Sequence, residues 1–242
     1  MLGQQLVVVG DAHLGAVPAP IEEAFLEFLL AAPKLGDCLL LNGDIFDFWM
    51  SWGRVIPRHQ VRAVAALAEV ARRMPTVMTG GNHDRWGGTF WSDELKIRFA
   101  PVRMEFCIGD RPALAIHGDG ITERSRSARL MFQVTKQPAV IALFKALHPD
   151  LAFWIVDRMV SHWGSDAVDP AVFDRAADRQ QAWAATELAR NPRLHCVLMG
   201  HTHRARAVEV EPGRWYVNPG AWLDGQRYAV VTGGGAELKE FS

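Results

Sequence analysis

Short apolar runs alternate with longer amphipathic segments through the first half of the chain. "QLVVV" (5–9), "CLLL" (38–41), "TVMT" (76–79) and "ALAI" (113–116) have the length and residue types of strands buried on both faces. Between them, "PIEEAFLEFLLAA" (20–32) and "PRHQVRAVAALAEVARRM" (57–74) repeat apolar residues at helical spacing, and each opens on a proline suited to a first helical turn. The alternation predicts βαβ units and an α/β fold. From about 122 to 190 the strand pattern stops, and helical stretches are broken by "KQP", "HPD" and "GSDAVDP", the last leading into "AVFDRAADRQQAWAATELARN". Strand patterns resume with "HCVLMG" (195–200), "RAVEVE", "RWYVN" and "RYAVVT". The chain therefore reads as one α/β domain over 1–242 with a helical insertion at about 122–165.

The greasiest stretch is "AVIALFKALHPDLAFWIVDRMVSHW" (139–163). Its two apolar blocks are six residues each and are separated by Lys145, His148, Pro149 and Asp150. A membrane span needs about 18 or more consecutive apolar residues, so two short helices hinged near His148-Pro149 are expected instead. The N-terminal "MLGQQLVVVGD" reads as a strand rather than a secretory leader, which points to a cytoplasmic protein. Cys38, Cys107 and Cys196 are far apart and lie in or beside apolar runs, the pattern of reduced, buried thiols. A composition 49% hydrophobic and 22% charged is that of a globular chain, and a net charge of −1 supplies no basic field for nucleic acid.

The chemistry lies at the ends of the apolar runs. "VVVG" leads into Asp11-Ala-His13, "LLLNG" into Asp44, "VMTGG" into Asn82-His83-Asp84, "ALAI" into His117, and "VLMG" into His201-Thr-His203. In open α/β sheets ligands collect beyond the carboxyl ends of strands, so these five ends can converge on one place. In extended backbone, residues two apart face the same way, so D-x-H and H-x-H can each place two donors on one ion. Any one of these motifs alone says little. All five in order predict a metal site.

The string "GDAHLG … GDIFD … GNHD … HGD … GHTH" resembles the calcineurin-like metallophosphoesterases, and "VNPGAW" (217–222) resembles a segment often found near that family's end. The resemblance implies a four-layer α/β/β/α sandwich. It implies one divalent ion on Asp11, His13, Asp44 and His203, and a second on Asp44, Asn82, His117 and His201, with Asp44 bridging. Carboxylate, amide and imidazole donors suit manganese, iron or zinc, with Mn2+ the expected pair. Two such ions would hold and acidify a shared water that attacks phosphorus in line. His83 would stabilise the phosphoryl oxygens or protonate the leaving group, oriented by Asp84. Asp47 and Asp119 are expected beside the ligating side chains.

The insertion bears on the substrate. From Glu123 to Trp163 it carries six Lys or Arg against three acids, a basic amphipathic composition suited to anionic lipid or a lipid phosphate. It follows directly on His117 and must emerge at the mouth of the site. With "GDIFDFWM" and "GNHDRW", the chain is similar to the UDP-2,3-diacylglucosamine pyrophosphatases of lipid A biosynthesis. That similarity implies hydrolysis to UMP and 2,3-diacylglucosamine 1-phosphate at the inner face of the cytoplasmic membrane. The insertion would be a lid over the acyl chains, and Arg124, Arg129 and Lys136 would meet phosphate or uridine. Two other readings stay open: the same chemistry on soluble nucleotide pyrophosphates or phosphodiesters, and a non-catalytic protein-binding scaffold.

Overall fold

The computed structural model describes residues 1–122, 130, 132–163 and 170–242. Two mixed sheets face one another. The first runs β11(Gly235–Glu240)-β10(Arg227–Thr232)-β1(Gln5–Val9)-β2(Cys38–Asn42)-β3(Thr76–Thr79)-β4(Arg98–Ala100), and β1 to β4 are parallel. The second runs β5(Arg103–Ile108)-β6(Arg111–Ile116)-β7(Cys196–Leu198)-β9(Arg214–Asn218)-β8(Arg206–Glu211), with β6, β7 and β9 parallel.

The period-two alternation of the strands divides the core. Leu6 and Val8 of β1 and Leu40 of β2 face inward and pack with Phe106, Ala113, Leu198 and Val217 of the other sheet. Val7, Val9, Leu39 and Leu41 point outward, against Phe25, Phe28 and Leu29 of α1 (Ala19–Leu35) and Leu67 and Val70 of α2 (Val61–Arg73). On the far side, Leu114, Val197 and Tyr216 pack against Ala184 and Leu188 of a helix at Pro170–Arg190. Helix, sheet, sheet and helix form the four layers that the resemblance implied.

The segment 57–74 is a 3-10 turn, Arg58–Gln60, followed by α2. The buried Gln60 side chain donates to Phe48 O at 2.7 Å and holds that turn on the loop after β2. β4, β5 and β11 carry no apolar run: β4 is three residues long, β5 alternates buried Met104, Phe106 and Ile108 with residues such as Glu105, and β11 is mostly exposed, with residues such as Lys239.

After a short helix α3 (Phe90–Asp93), the insertion contains α4 (Pro138–Lys145) and α5 (Pro149–Trp163), and α6 is the helix at Pro170–Arg190. α4 and α5 break where expected, with a bend of 118°. Among the described residues no single helix is long and apolar enough to cross a membrane.

Candidate metal centre at the strand ends

The loops leaving β1 and β2 stay paired beyond the strands. Asp11 N–H donates to Gly43 O (3.0 Å), and the Ala12 and His13 amides both donate to Asp44 O (2.9 and 3.0 Å). This brings Asp11, His13 and Asp44 together, though not through extended backbone. Asp11 (φ 50°), His13 (48°), Asp44 (50°), His201 (70°) and His203 (56°) all occupy the left-handed region. Each such non-glycine residue costs about 1–3 kcal/mol and persists where surrounding structure holds it, a feature that clusters at functional sites. The D-x-H and H-x-H donors therefore share a face because both loops turn left-handed.

Of the seven predicted ligands, Asp11, Asp44 and His117 are buried, while His13, Asn82, His201 and His203 are partly buried. His117 Nε2 lies 3.0 Å from Asp44 Oδ2 and 3.8 Å from Asp11 Oδ1, and His203 Nε2 lies 3.4 Å from Asp11 Oδ1. His117 Nδ1 meets Asn42 O at 2.9 Å, which directs Nε2 at the carboxylates. Donor atoms of Asp11, His13 and His203 fall within 4.8 Å of one another, and so do those of Asp44, His117 and His201. These two triads fall within the two predicted four-ligand sets. A third group, His13, Asp47 and His83, meets the same criterion.

Burial opposes charge on Asp44, yet the His117, His83 and His13 imidazoles outweigh it and hold its carboxyl well below the usual range. Burial likewise opposes a proton on His117, but Asp44 and Asp11 overcome it and raise that imidazole well above its ordinary value. Two buried carboxylates thus demand positive charge between them, from protons or from cations. Divalent ions fit that demand: His13 Nε2 and Asn82 Oδ1 are buried atoms with no hydrogen-bond partner among the described residues. Gly81 makes the close packing possible, because a Cβ there would lie 2.1 Å from Asp44 Oδ1.

The predicted partners divide differently from expectation. Buried Asp84 accepts from the Ile45 (2.7 Å) and Gly81 (2.8 Å) amides, tying the loop after β2 to the loop after β3. The orienting bond on His83 comes from Asp47, whose carbonyl lies 2.6 Å from His83 Nδ1. The Asp47 carboxylate lies 3.4 Å from His13 Nδ1 and 3.6 Å from His83 Nδ1. The role expected of Asp84 is thus taken by the Asp47 carbonyl, while both Asp84 oxygens are engaged by backbone amides. Asp119 ion-pairs with Arg85, and both side chains are almost wholly buried. In the sequence only the position of Arg85 after "GNHD" marks it.

Lys136 lies on the insertion with its Nζ 3.3 Å from the Phe132 ring centroid, and Arg85 Cζ is 4.8 Å from the same centroid. Burial and the Arg85 charge push the Lys136 ammonium down from its ordinary value. Arg124 and Arg129 lie outside the described residues. The insertion is clasped to the body by Trp86 Nε1, which donates to Thr135 O (2.9 Å), and by Phe144 and Phe153, which meet Phe48 at 6.0 and 5.0 Å between ring centroids. Phe153 also meets Trp52 and His59.

A family model described as calcineurin-like phosphoesterase matches residues 5–205. The chain is 27% identical over 237 residues to a protein of Enterobacter sp. (strain 638) named UDP-2,3-diacylglucosamine hydrolase, covering 96% of this chain and 97% of that one. It is 29% identical over 212 residues to a protein of the same name from Xanthomonas campestris pv. campestris (strain 8004), covering 85% of each. Among solved structures it is similar to Vacuolar Protein Sorting 29 from Cryptosporidium parvum, at 14% identity and a TM-score of 0.48, over 100% of both chains.

Proposed function

The chain belongs to the calcineurin-like phosphoesterase family and is a metal-dependent hydrolase; from that premise we propose that it hydrolyses the pyrophosphate of a lipid-linked nucleotide sugar, UDP-2,3-diacylglucosamine. Water adds across the anhydride, one P–O bond breaks, and UMP and 2,3-diacylglucosamine 1-phosphate leave. Asp11, His13, Asp44 and His203 would hold one divalent ion, and Asp44, Asn82, His117 and His201 the other, with manganese the proposed metal. Bound there, such ions supply Lewis acidity and lower the pKa of water.

The remaining tasks fall to the chain itself. With Nδ1 bonded to Asp47 O, His83 keeps Nε2 for the phosphoryl oxygens or the leaving oxygen. Asp84 fixes the spacing between the Asp44 and Asn82 loops. Lys136, beside the Arg85–Asp119 pair, would meet a substrate phosphate, and Arg124 and Arg129 are proposed for the same task.

The observation that carries the choice of substrate is the bent helix pair. The inner rings Phe144 and Phe153 close on Phe48 and Trp52 from the loop that also supplies Asp44. On the outside, Leu143 is 71% and Trp154 62% exposed. An apolar cover between two greasy faces suits acyl chains delivered from a membrane surface, and here it serves as a lid on a single domain. The protein would accordingly work as a peripheral enzyme on the cytoplasmic side. The names of the relatives support the same substrate.

The test is metal-dependent UMP release from UDP-2,3-diacylglucosamine beside UDP-N-acetylglucosamine. Strong preference for the acylated substrate is expected. Equal cleavage of the soluble nucleotide sugar, with the lipid ignored, would overturn the assignment.

A further inference from the structure

One α6 side chain reaches the backbone behind three of the imidazoles. Gln180 is fully buried. Its Nε2 donates to Gly200 O at 2.9 Å, immediately before His201. Its Oε1 accepts from Thr202 Oγ1 (3.3 Å), between His201 and His203, and from Tyr216 OH (3.1 Å) and Asn218 Nδ2 (3.2 Å). Asn218 Nδ2 closes the network on Gly200 O (3.0 Å) and Thr202 Oγ1 (3.1 Å). The third imidazole is met through Gly118, which follows His117. Gly118 has φ 117°, and a Cβ there would lie 2.2 Å from Gln180 Nε2, so the amide sits directly on that turn. The two histidine segments are also joined by Gly200 N–H to His117 O at 2.8 Å.

A carboxamide suits this arrangement, because it donates to a carbonyl while its oxygen is shared among a hydroxyl, a phenol and a second amide as donors. A carboxylate would set an oxygen against Gly200 O, and a thioether would leave buried donors without an acceptor. A fully satisfied buried network of this kind fixes one arrangement. The left-handed backbone at His201 and His203 needs such over-determination to persist. α6 is itself held in place over these loops: Arg204 pairs with Asp174 (2.6 Å) and Arg206 with Asp178 (2.8 Å), and the Phe173 ring stacks on His203 at 6.4 Å.

We infer that Gln180 is a positioning residue that sets the spacing between His117 and His201, which would hold one divalent ion, and His203, which would hold the other, through Gly118, Gly200 and Thr202. This rests on the reading of those histidines as metal ligands.

The test measures Mn2+ affinity by chelator competition, and the visible spectrum of the Co2+-loaded protein, in four forms of the whole chain: wild type, Gln180→Met, Leu188→Ala and His201→Ala. Leu188 is buried on the same helix, two turns on, in the apolar core against the second sheet. Gln180→Met should bind Mn2+ about tenfold or more weakly, as loss of an outer hydrogen-bonding partner does at metal sites, and should shift the Co2+ bands. Leu188→Ala should lower Tm and leave both readouts unchanged. If Gln180→Met does not fold, Gln180→Glu takes its place with the same expectation.

Wild-type affinity in the Gln180 variant, or an equal loss in Leu188→Ala, would overturn the inference alone. If His201→Ala binds as tightly as wild type, the ligand assignment fails and the inference falls with it.

Discussion

Gly81→Ala tests whether the site tolerates any displacement of Asp44. A Cβ at Gly81 would lie 2.1 Å from Asp44 Oδ1, 2.7 Å from Asp44 Cγ and 2.7 Å from Asp44 N. Gly81 does not have positive φ, so the effect is one of space and not of backbone conformation. Carbon and oxygen need about 3.2 Å or more, so something must move by roughly 1 Å against backbone on one side and carboxylate on the other. Asp44 Oδ1 also accepts the His83 N–H at 2.9 Å, so the shift carries His83 with it. Overpacking of this size costs about 1–3 kcal/mol of stability, and a 1 Å misplacement in a catalytic array costs about a hundredfold in rate. The assay is turnover of a small chromogenic phosphodiester at saturating Mn2+, with Tm recorded on the same samples. A folded Gly81→Ala protein with wild-type turnover would show that Asp44 tolerates the displacement.

Further outcomes follow from the same structure. Asp119→Ala should cost about 3–5 kcal/mol in urea unfolding, because Arg85 is left charged and buried, whereas Arg85→Met with Asp119→Leu should recover most of the loss. Asp37 is opposed by partial burial, but the Gln4 and Gln5 amides (2.9 Å each) outweigh that and hold its carboxyl below the usual value. Its contribution is therefore present above the unfolded pKa of about 3.9 and lost as pH falls through the lower folded value. Because Asp37 is mostly exposed and water screens its charge, Asp37→Asn should lose well under about 1 kcal/mol at pH 7, and the deficit should vanish in acid denaturation profiles. Leu143→Ser with Trp154→Ser should weaken co-sedimentation with anionic vesicles by about tenfold or more while leaving small-diester turnover intact, since each apolar side chain contributes about 1.5–3 kcal/mol when buried.

The parts of this molecule legible in its sequence were those written in short-range pattern. Buried strands such as Leu6–Val9 and Leu39–Leu41 announce themselves by composition, and each is followed by its ligand-type residues within three positions. The hinge at His148-Pro149 could be read because proline sits at the start of α5. What escaped depends on contacts remote in the chain. Gln180 lies in an unremarkable amphipathic helix, and only the folded register brings it to Gly200 and Gly118. Arg85 and Asp119 are 34 positions apart, and neither residue type signals a buried pair. Asp84 follows His83 directly in the sequence, but its oxygens accept the Ile45 and Gly81 amides, and it is the Asp47 carbonyl, 36 positions upstream, that meets His83 Nδ1. The left-handed backbone at five ligands likewise has no signature in residue type, since aspartate and histidine are tolerated there without being required.

We propose seven side chains at five strand ends as the ligands of a pair of divalent ions that share the Asp44 carboxylate. The decisive measurement is metal analysis of Mn2+-equilibrated protein after gel filtration, with Asp44→Ala beside wild type. Two ions per wild-type chain, and loss of both together in Asp44→Ala, are predicted. A wild-type chain that binds none, or an Asp44→Ala chain that keeps both, would contradict it.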